Sequence, residues 1–343
     1  MDQGRVNQWR NKAILFLACV VFLCSVVGDR GEGKIFQKMF QKKNSSNEEP
    51  LVPYRMGRFE IAIPKSMKRV STGYEIRELT VEEVVWPSGI DRIEARTHLW
   101  NQRLEKVKKR KFPEGMQSPI IEMKEFREIG AWMKGVKYYG DDDLEFPVTN
   151  WDVLLDRSQT RIWITMVGGD SAQDQLILED IVAVSGAYRG PDEDKGIGSE
   201  SRFYLDHGSI NLPYLEQERV YARFEGHPLG LKFSIEMEPT HKVKKVGLLE
   251  RLSALFLSGF ASGVDIDKLR TGKRVVAGLR AEEVLLRATD ETGPQLSFTW
   301  HYLGQEDSGD HPEIILDMES KDGQAQEKMA VWDRILNSMK PVK

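Results

Sequence analysis

The sequence predicts an α+β fold: two similar domains, each a largely antiparallel sheet with two helices packed on one face. Three observations carry this. Apolar and polar residues alternate along many short runs, the period of a strand with one wet face. Four longer runs instead space apolar residues three and four apart, the period of a helix. The run at 190–200, with Gly190, Pro191, Gly196 and Gly198 among dense charge, reads as a linker, and the order strands, helix, strands, helix recurs on either side of it. Duplication is the preferred explanation of that recurrence; the alternative is that such an order is common.

The N-terminus is set aside before the fold is considered. Arg5, Arg10 and Lys12 form a positive region, and Ala13 to Val27 is uncharged with Ser25 its only polar side chain. The apolar run is shorter than the ~20 residues that span a bilayer comfortably and near the upper end for a signal peptide. Val26 and Gly28 offer small residues for cleavage before Asp29. An uncleaved anchor and a lipid-modified Cys19 or Cys24 stay open as alternatives, and all three place the body outside the cytoplasm. Both cysteines lie in this segment, so the rest of the chain has no disulfide, no thiol nucleophile and no Cys-ligated zinc. Residues 1–28 hold three basic and one acidic residue, which leaves 46 basic and 52 acidic, net −6. That balance argues against nucleic acid as a partner. The expected organisation is 1–28 signal peptide or anchor, 29–50 polar tether, 51–189 first domain, 190–200 linker and 201–343 second domain.

In the first domain, Phe59, Ile61 and Ile63 alternate in a strand that Pro64 stops, and 74–79 is a second strand. A helix over 91–110 carries Ile93, Thr97, Trp100, Leu104 and Val107 on one stripe. Strands follow near 120–123, 131–139, 151–155 and 162–167, then a helix over 171–188 with Ile177, Ile181, Val184 and Tyr188 inward. The second domain opens with strands at 203–205, 210–212, 220–224 and 231–237; the last alternates Leu231, Phe233, Ile235 and Met237 with Lys232, Ser234, Glu236 and Glu238. A helix over 248–260 buries Leu248, Leu252, Leu255 and Phe256. Arg270 to Arg287 reads as two strands meeting at a tight turn, punctuated by Gly272 and Gly278, with Lys273, Arg274 and Arg280 solvated or facing a partner. Its counterpart in the first domain is roughly 128–139. Strands around Phe298–Tyr302 and Ile314–Met318 precede a last helix over 324–339 that buries Met329, Trp332, Ile335, Leu336 and Met339.

Little in the chain suggests chemistry. Gly168-Gly169-Asp170-Ser171 invites a hydrolase reading, with Ser171 as nucleophile. A strand-to-helix junction capped by Asp170 or Ser171 explains it more simply. Gly196-Ile197-Gly198 lacks the third glycine of a dinucleotide loop. The six histidines show no zinc-ligand spacing. Asp141, Asp142 and Asp143 lack the glycine and distal glutamate of a calcium loop, and read as a solvated acidic turn or a partner-facing patch. The basic end of the first helix, Lys106 to Lys111, complements the helix dipole. Trp163 falls opposite Ile162, Ile164 and Met166, so it is a candidate exposed aromatic of the kind enriched at interfaces. No catalytic, cofactor or metal residue is assigned.

Asp206-His207-Gly208, Phe224-Glu225-Gly226-His227-Pro228, Thr271-Gly272-Lys273-Arg274 with Gly278, Glu282-Glu283, Leu285, and Trp332-Asp333-Arg334-Ile335-Leu336 together resemble a known family. It is the immunity proteins that neutralise type VI secretion lipase effectors of the fourth class. Gly57-Arg58-Phe59 with Ile63-Pro64 is similar to that family's opening. The resemblance implies a periplasmic, non-enzymatic antitoxin whose two α+β domains grip a cognate phospholipase, without cofactor, free or held at the inner membrane. The apolar N-terminus and its long polar tether depart from the pattern. Contacts are expected across the cleft between domains and on loops at 140–145 and 304–310, with Asp141, Asp142, Asp143, Trp163, Arg280 and Asp307 as candidate partner-binding residues. The alternatives are an envelope hydrolase using Ser171 and an anchored adaptor of a secretion apparatus.

Overall fold

The computed structural model describes residues 49–342, apart from 141–147, 170–172, 194–201, 216, 245, 254–264 and 291–292. Its centre is one sheet of twelve strands. The chain's second half contributes, from one edge inward, β14 (Asp265–Val276), β15 (Leu279–Asp290), β16 (Gly293–Tyr302), β17 (Glu313–Lys321), β13 (Lys232–Glu238) and β12 (Glu218–Glu225). The first half continues outward with β3 (Lys68–Ile76), β4 (Leu79–Val85), β8 (Thr160–Gly169), β7 (Thr149–Arg157), β6 (Trp132–Tyr139) and β5 (Ile120–Glu125). Every neighbouring pair is antiparallel.

Read outward from the central β3–β12 pair, the halves have the same topology. The helices keep that equivalence. α1 (Arg92–Lys108) follows β4 as the helical residues 248–253, here α3, follow β13. α2 (Asp174–Ala187) follows β8 as α4 (Ala325–Ser338) follows β17. The junction is a strand pairing from Glu218↔Ile76 to Glu225↔Lys68, with a bulge between Arg223 and Phe224. Backbone hydrogen bonds therefore carry one half into the other, and the main core runs through both.

On the core face lie α2, α4 and two small sheets. One pairs β1 (Leu51–Met56), β2 (Phe59–Pro64) and β18 (Lys340–Pro341); the other pairs β10 (Arg202–Tyr204), β11 (Ser209–Asn211) and β9 (Tyr188–Arg189). Ile177, Ile181 and Val184 of α2 and Trp332, Ile335 and Leu336 of α4 join Phe59, Ile61, Ile63, Phe233, Phe298 and Trp300 there. Trp332 packs edge-on against Phe233 at 6.4 Å. On the opposite face α1 packs Trp100 and Val107 on Val136, Tyr138 and Leu154, a separate cluster. β7 serves both sides, with Trp151, Val153 and Leu155 in the main core and Leu154 under α1.

The α+β class of antiparallel sheet with helices holds, with one correction: the two helices of each half lie on opposite faces. An amphipathic stripe says that a helix buries one side, without saying on which side of a sheet. β7 is buried along both sides, one apolar and the other carrying Asp152 and Asp156 for the arginines of α1, and so takes cover on both. Ile93, expected in the buried stripe of α1, is 65% exposed. Gly272 sits mid-strand opposite Glu283; the turn of that hairpin is Ala277-Gly278, both at positive φ. The equivalent of β14–β15 is β5–β6, which begins at Ile120 rather than near 128. β1, β4, β9 and β18 are strands the alternation did not reveal.

Candidate partner-binding surface

The face opposite the main core has two walls and an open floor. The first wall is α1. Asp91 caps it, accepting from the Ile93 and Glu94 N–H groups at 2.9 and 3.1 Å. Its arginines reach down to carboxylates buried on β7. Arg92 and Arg96 donate to Asp156 at 2.7 and 2.8 Å, with Trp86 Nε1 at 2.9 Å, and Arg103 donates to Asp152 at 2.5 Å. Asp152 holds the Arg103 pKa above its usual value, against the opposing effect of burial. Trp100 stacks on Trp163 at 6.5 Å, and Arg103 lies over the Trp163 ring at 5.7 Å.

The second wall is α3. Glu282 of β15 accepts from the Leu249 N–H at 2.9 Å, a carboxylate at the helix start. Arg251 donates to His301 Nδ1 at 2.6 Å, and His301 Nε2 meets Glu313 at 2.7 Å. Because arginine only donates, His301 accepts at Nδ1 and donates from Nε2. Burial alone would raise the Glu313 carboxyl; the His301 and Lys244 donors outweigh it and hold it low.

Between the walls run β4, β3, β12 and β13, whose alternate residues Thr80, Glu82, Ser71, Arg219, Tyr221, Lys232, Glu236 and Glu238 are exposed. Tyr221 pairs with Gly73 across the β3–β12 junction. An exposed tyrosine at the centre of a mixed-charge floor, flanked by two fixed walls, is suited to engaging a protein.

The other face holds a cleft of about 560 Å3, lined among others by Tyr54, Arg55, Glu60, Arg69, Tyr204 and Asp206. Asp206 accepts from Tyr74 Oη at 2.5 Å, Thr72 Oγ1 at 3.1 Å and Arg69 at 2.9 Å. Gly208 closes this loop: a Cβ there would lie 2.8 Å from both Glu83 Oε1 and Tyr188 Oη. A second group of motif residues fastens α4 to the sheet. Asp333 accepts from Arg270 and Arg274, both at 2.6 Å, and Glu283 accepts from Arg274 at 2.8 Å and Trp332 Nε1 at 2.9 Å. Burial would raise the Asp333 carboxyl, but the two guanidinium groups bring it below its ordinary value. These motif residues tie α4 and the 206–208 loop to the sheet.

Of the candidate residues named from sequence, the three that are described lie apart, on β8, on β15 and in the β16–β17 loop. Trp163 is half-buried beneath α1 rather than exposed, because α1 covers the face that strand alternation left open. Arg280 is exposed beside the β14–β15 turn, as is Lys273, whereas Arg274 is tied into the Glu283–Asp333 network rather than solvated. Asp307 is exposed in the β16–β17 loop at φ +51°, donating its N–H to Thr240 O at 2.9 Å. Asp141, Asp142, Asp143 and Ser171 lie outside the described residues. Tyr221 and Arg219 escaped notice because each sits in a strand whose polar face looked like any wet face.

Residues 197–342 match the family described as Tle cognate immunity protein 4 C-terminal domain. No curated protein matches the chain in sequence. Among solved structures, the apo immunity protein TplEi of the type VI secretion system of Pseudomonas aeruginosa is similar at 18% identity and TM-score 0.69, over 85% of this chain and 97% of that one. A structure of the Tle4–Tli4 complex gives 20% identity and TM-score 0.67, over 85% and 97%. TplEi complexed with an "L" peptide gives 20% and 0.64, over 85% and 98%. At these identities the likeness is one of fold, and it embraces both halves of the sheet. Over residues 197–342, then, the chain is similar to the C-terminal domain of Tle cognate immunity protein 4.

Proposed function

We propose that this protein is a non-enzymatic immunity protein that binds a type VI secretion lipase effector and neutralises it in the periplasm. The observation that carries the reading is the family match over 197–342 on a fold shared with the Tle4–Tli4 complex. The open floor between α1 and α3 is the contact surface we assign, with Tyr221 at its centre and the two helices as jaws. Neutralisation follows from stoichiometric occupancy: a lipase held on this floor does not present its active site to phospholipid. Among the described residues no helix is long and apolar enough to cross a membrane. Retention at the inner membrane would rest on Ala13–Val27, and the mass of the mature N-terminus decides between cleavage and retention.

The test is co-purification with the cognate lipase, paired with a lipase assay and with survival of cells that express the lipase in the periplasm. Binding with dose-dependent loss of lipase activity at one-to-one stoichiometry is expected. A purified chain that neither binds nor protects would overturn the reading. Intrinsic lipid or ester hydrolysis lost in Ser171→Ala would replace it with the hydrolase alternative.

A further inference from the structure

The twelve-stranded sheet ends in two edges, and β5 is the outer edge of the first half. We propose that β5 pairs antiparallel with β5 of a second copy of this chain, about a two-fold axis through Met123. The backbone supplies the donors and acceptors. Phe126 N donates to Met133 O at 3.1 Å, and the register behind it runs without a break from Glu125↔Lys134 to Glu122↔Lys137. Bonded and non-bonded pairs alternate along an antiparallel ladder. Lys124 and Glu122 therefore direct their N–H and C=O groups to β6, whereas Glu125 and Met123 turn theirs outward. Among the described residues no strand pairs with that side. Ile121 and Met123 stand there 40% and 55% exposed. An edge of this kind is a template for another strand.

The side chains select the occupant and the alignment. Centred on Met123, the pairing sets the outward N–H of each Met123 against the C=O of the other, a bonded pair. It also sets Glu122 of each copy directly opposite Lys124 of the other, in the non-bonded pairs where opposing side chains come closest. Both charges are uncommitted. Glu122 is exposed and has no ion-pair partner among the described residues. Lys124 lies over the Phe126 ring at 5.3 Å and meets no carboxylate among them. Glu125, by contrast, is held within its own copy by Lys134 at 2.9 Å. Neighbouring alignments are disfavoured: an axis on Glu122, Lys124 or Glu125 brings like charges face to face. An axis on Ile121 falls at the bulge between Ile120 and Glu122, where the ladder is broken. Charges that guard this edge against most strands thus admit the same strand in one alignment. β8, β7 and β6 separate β5 from the open floor, so the pairing leaves each floor free and does not rest on the lipase-binding reading.

One short strand is a small interface, so the dimer is weak and depends on concentration. Sedimentation equilibrium of the complete mature chain is measured from micromolar to millimolar loading, and amide exchange is followed over the same range. A monomer–dimer equilibrium is expected, with exchange at Met123 and Glu125 slowing as concentration rises. Glu122→Lys or Lys124→Glu alone should weaken dimerisation at least ~10-fold, because each sets like charges opposite one another in both pairs. Mixing the two single variants restores opposite charges, and so does combining both changes in one chain; each should dimerise like wild type. Lys273→Glu, an exposed residue on the far edge strand β14, should have no effect. Melting temperatures check that each variant folds. If Lys124→Glu does not fold, Glu122→Lys and the Met123 amide decide. A chain that stays monomeric at the highest loading overturns the proposal, as does a dimer indifferent to the single variants or one that charge exchange does not restore. Protection of Met123 that appears only with the cognate lipase would also overturn it, and would make this edge a lipase contact.

Discussion

Gly73→Trp tests whether the open floor is the contact surface. Gly73 lies on β3 directly opposite Tyr221, and an ideal Cβ placed on it would meet only the Tyr221 Cβ, at 3.9 Å. That is ordinary contact distance, and the backbone there is not in the left-handed region, so the fold has room for a side chain. Glycine inside a strand is itself destabilising by about 0.5–1 kcal/mol relative to alanine, so replacing it should leave stability unchanged or slightly higher. The consequence for a docked partner is opposite in sign. An indole buries about 150–250 Å2 when packed, and here it stands in the middle of the floor. Tyr221, 37% exposed, would also lose its own contact, and a central aromatic at an interface contributes about 2 kcal/mol or more. Obstruction and lost contact together should weaken binding by at least ~100-fold, about 2.7 kcal/mol. Titration calorimetry with the cognate lipase measures this, and thermal denaturation of the same sample checks the fold. A variant that melts like wild type and binds the lipase with unchanged affinity would refute the assignment of this floor.

Other substitutions test the scaffold. Asp156→Ala leaves Arg92, Arg96 and the buried Trp86 N–H without their shared acceptor; the arginines still reach solvent, so a loss of about 1–3 kcal/mol is expected; urea denaturation should show that loss, with an α1 freed to exchange its amides. Gly208→Ala forces a methyl against Glu83, Tyr188 and the Arg189 carbonyl, for which a loss of about 1–3 kcal/mol is expected in the same assay. Burial lowers the His227 pKa from 6.5, with Glu49 opposing and Arg334 adding to the shift. The unfolded chain therefore binds this proton more readily, so the stability it contributes is complete above pH 6.5 and is lost as pH falls below it. His227→Gln should flatten the fall of melting temperature below pH 6.5, and an unchanged profile would contradict the argument.

Much of the fold was legible because its strands obey a period of two. β13 places Phe233, Ile235 and Met237 inward and Lys232, Glu236 and Glu238 outward, and nothing but a half-wet strand has that pattern. β4 was not legible for a local reason. The β3–β4 turn is Arg77-Glu78, with both residues at positive φ and no glycine or asparagine to announce it, whereas Gly278 marks the β14–β15 turn. Continuity of the sheet was hidden for a different reason. β3 meets β12 through partners such as Arg219 and Glu75, 144 residues apart, and alternation carries no information about which strands pair. Trp163 and Arg274 mislead similarly. Each looks outward from its own strand, and only a helix arriving from elsewhere, α1 for Trp163 and α4 with Asp333 for Arg274, covers it.

The central pairing also dictates when the molecule can fold. As the chain emerges N-terminus first, β3 has no neighbour on its inner edge until β12 has followed. β2 waits longer still: β18 completes its sheet through Lys340↔Glu60, and Ser338 Oγ accepts from the Ala62 N–H at 2.8 Å across 276 residues. A nascent first half therefore exposes an unpaired strand edge above a half-covered core, a state prone to join other chains. Pairings this distant in sequence form slowly. A chain cut short by even its last few residues would leave β2 unfinished, so incomplete copies should be cleared by proteolysis rather than persist as half-active binders.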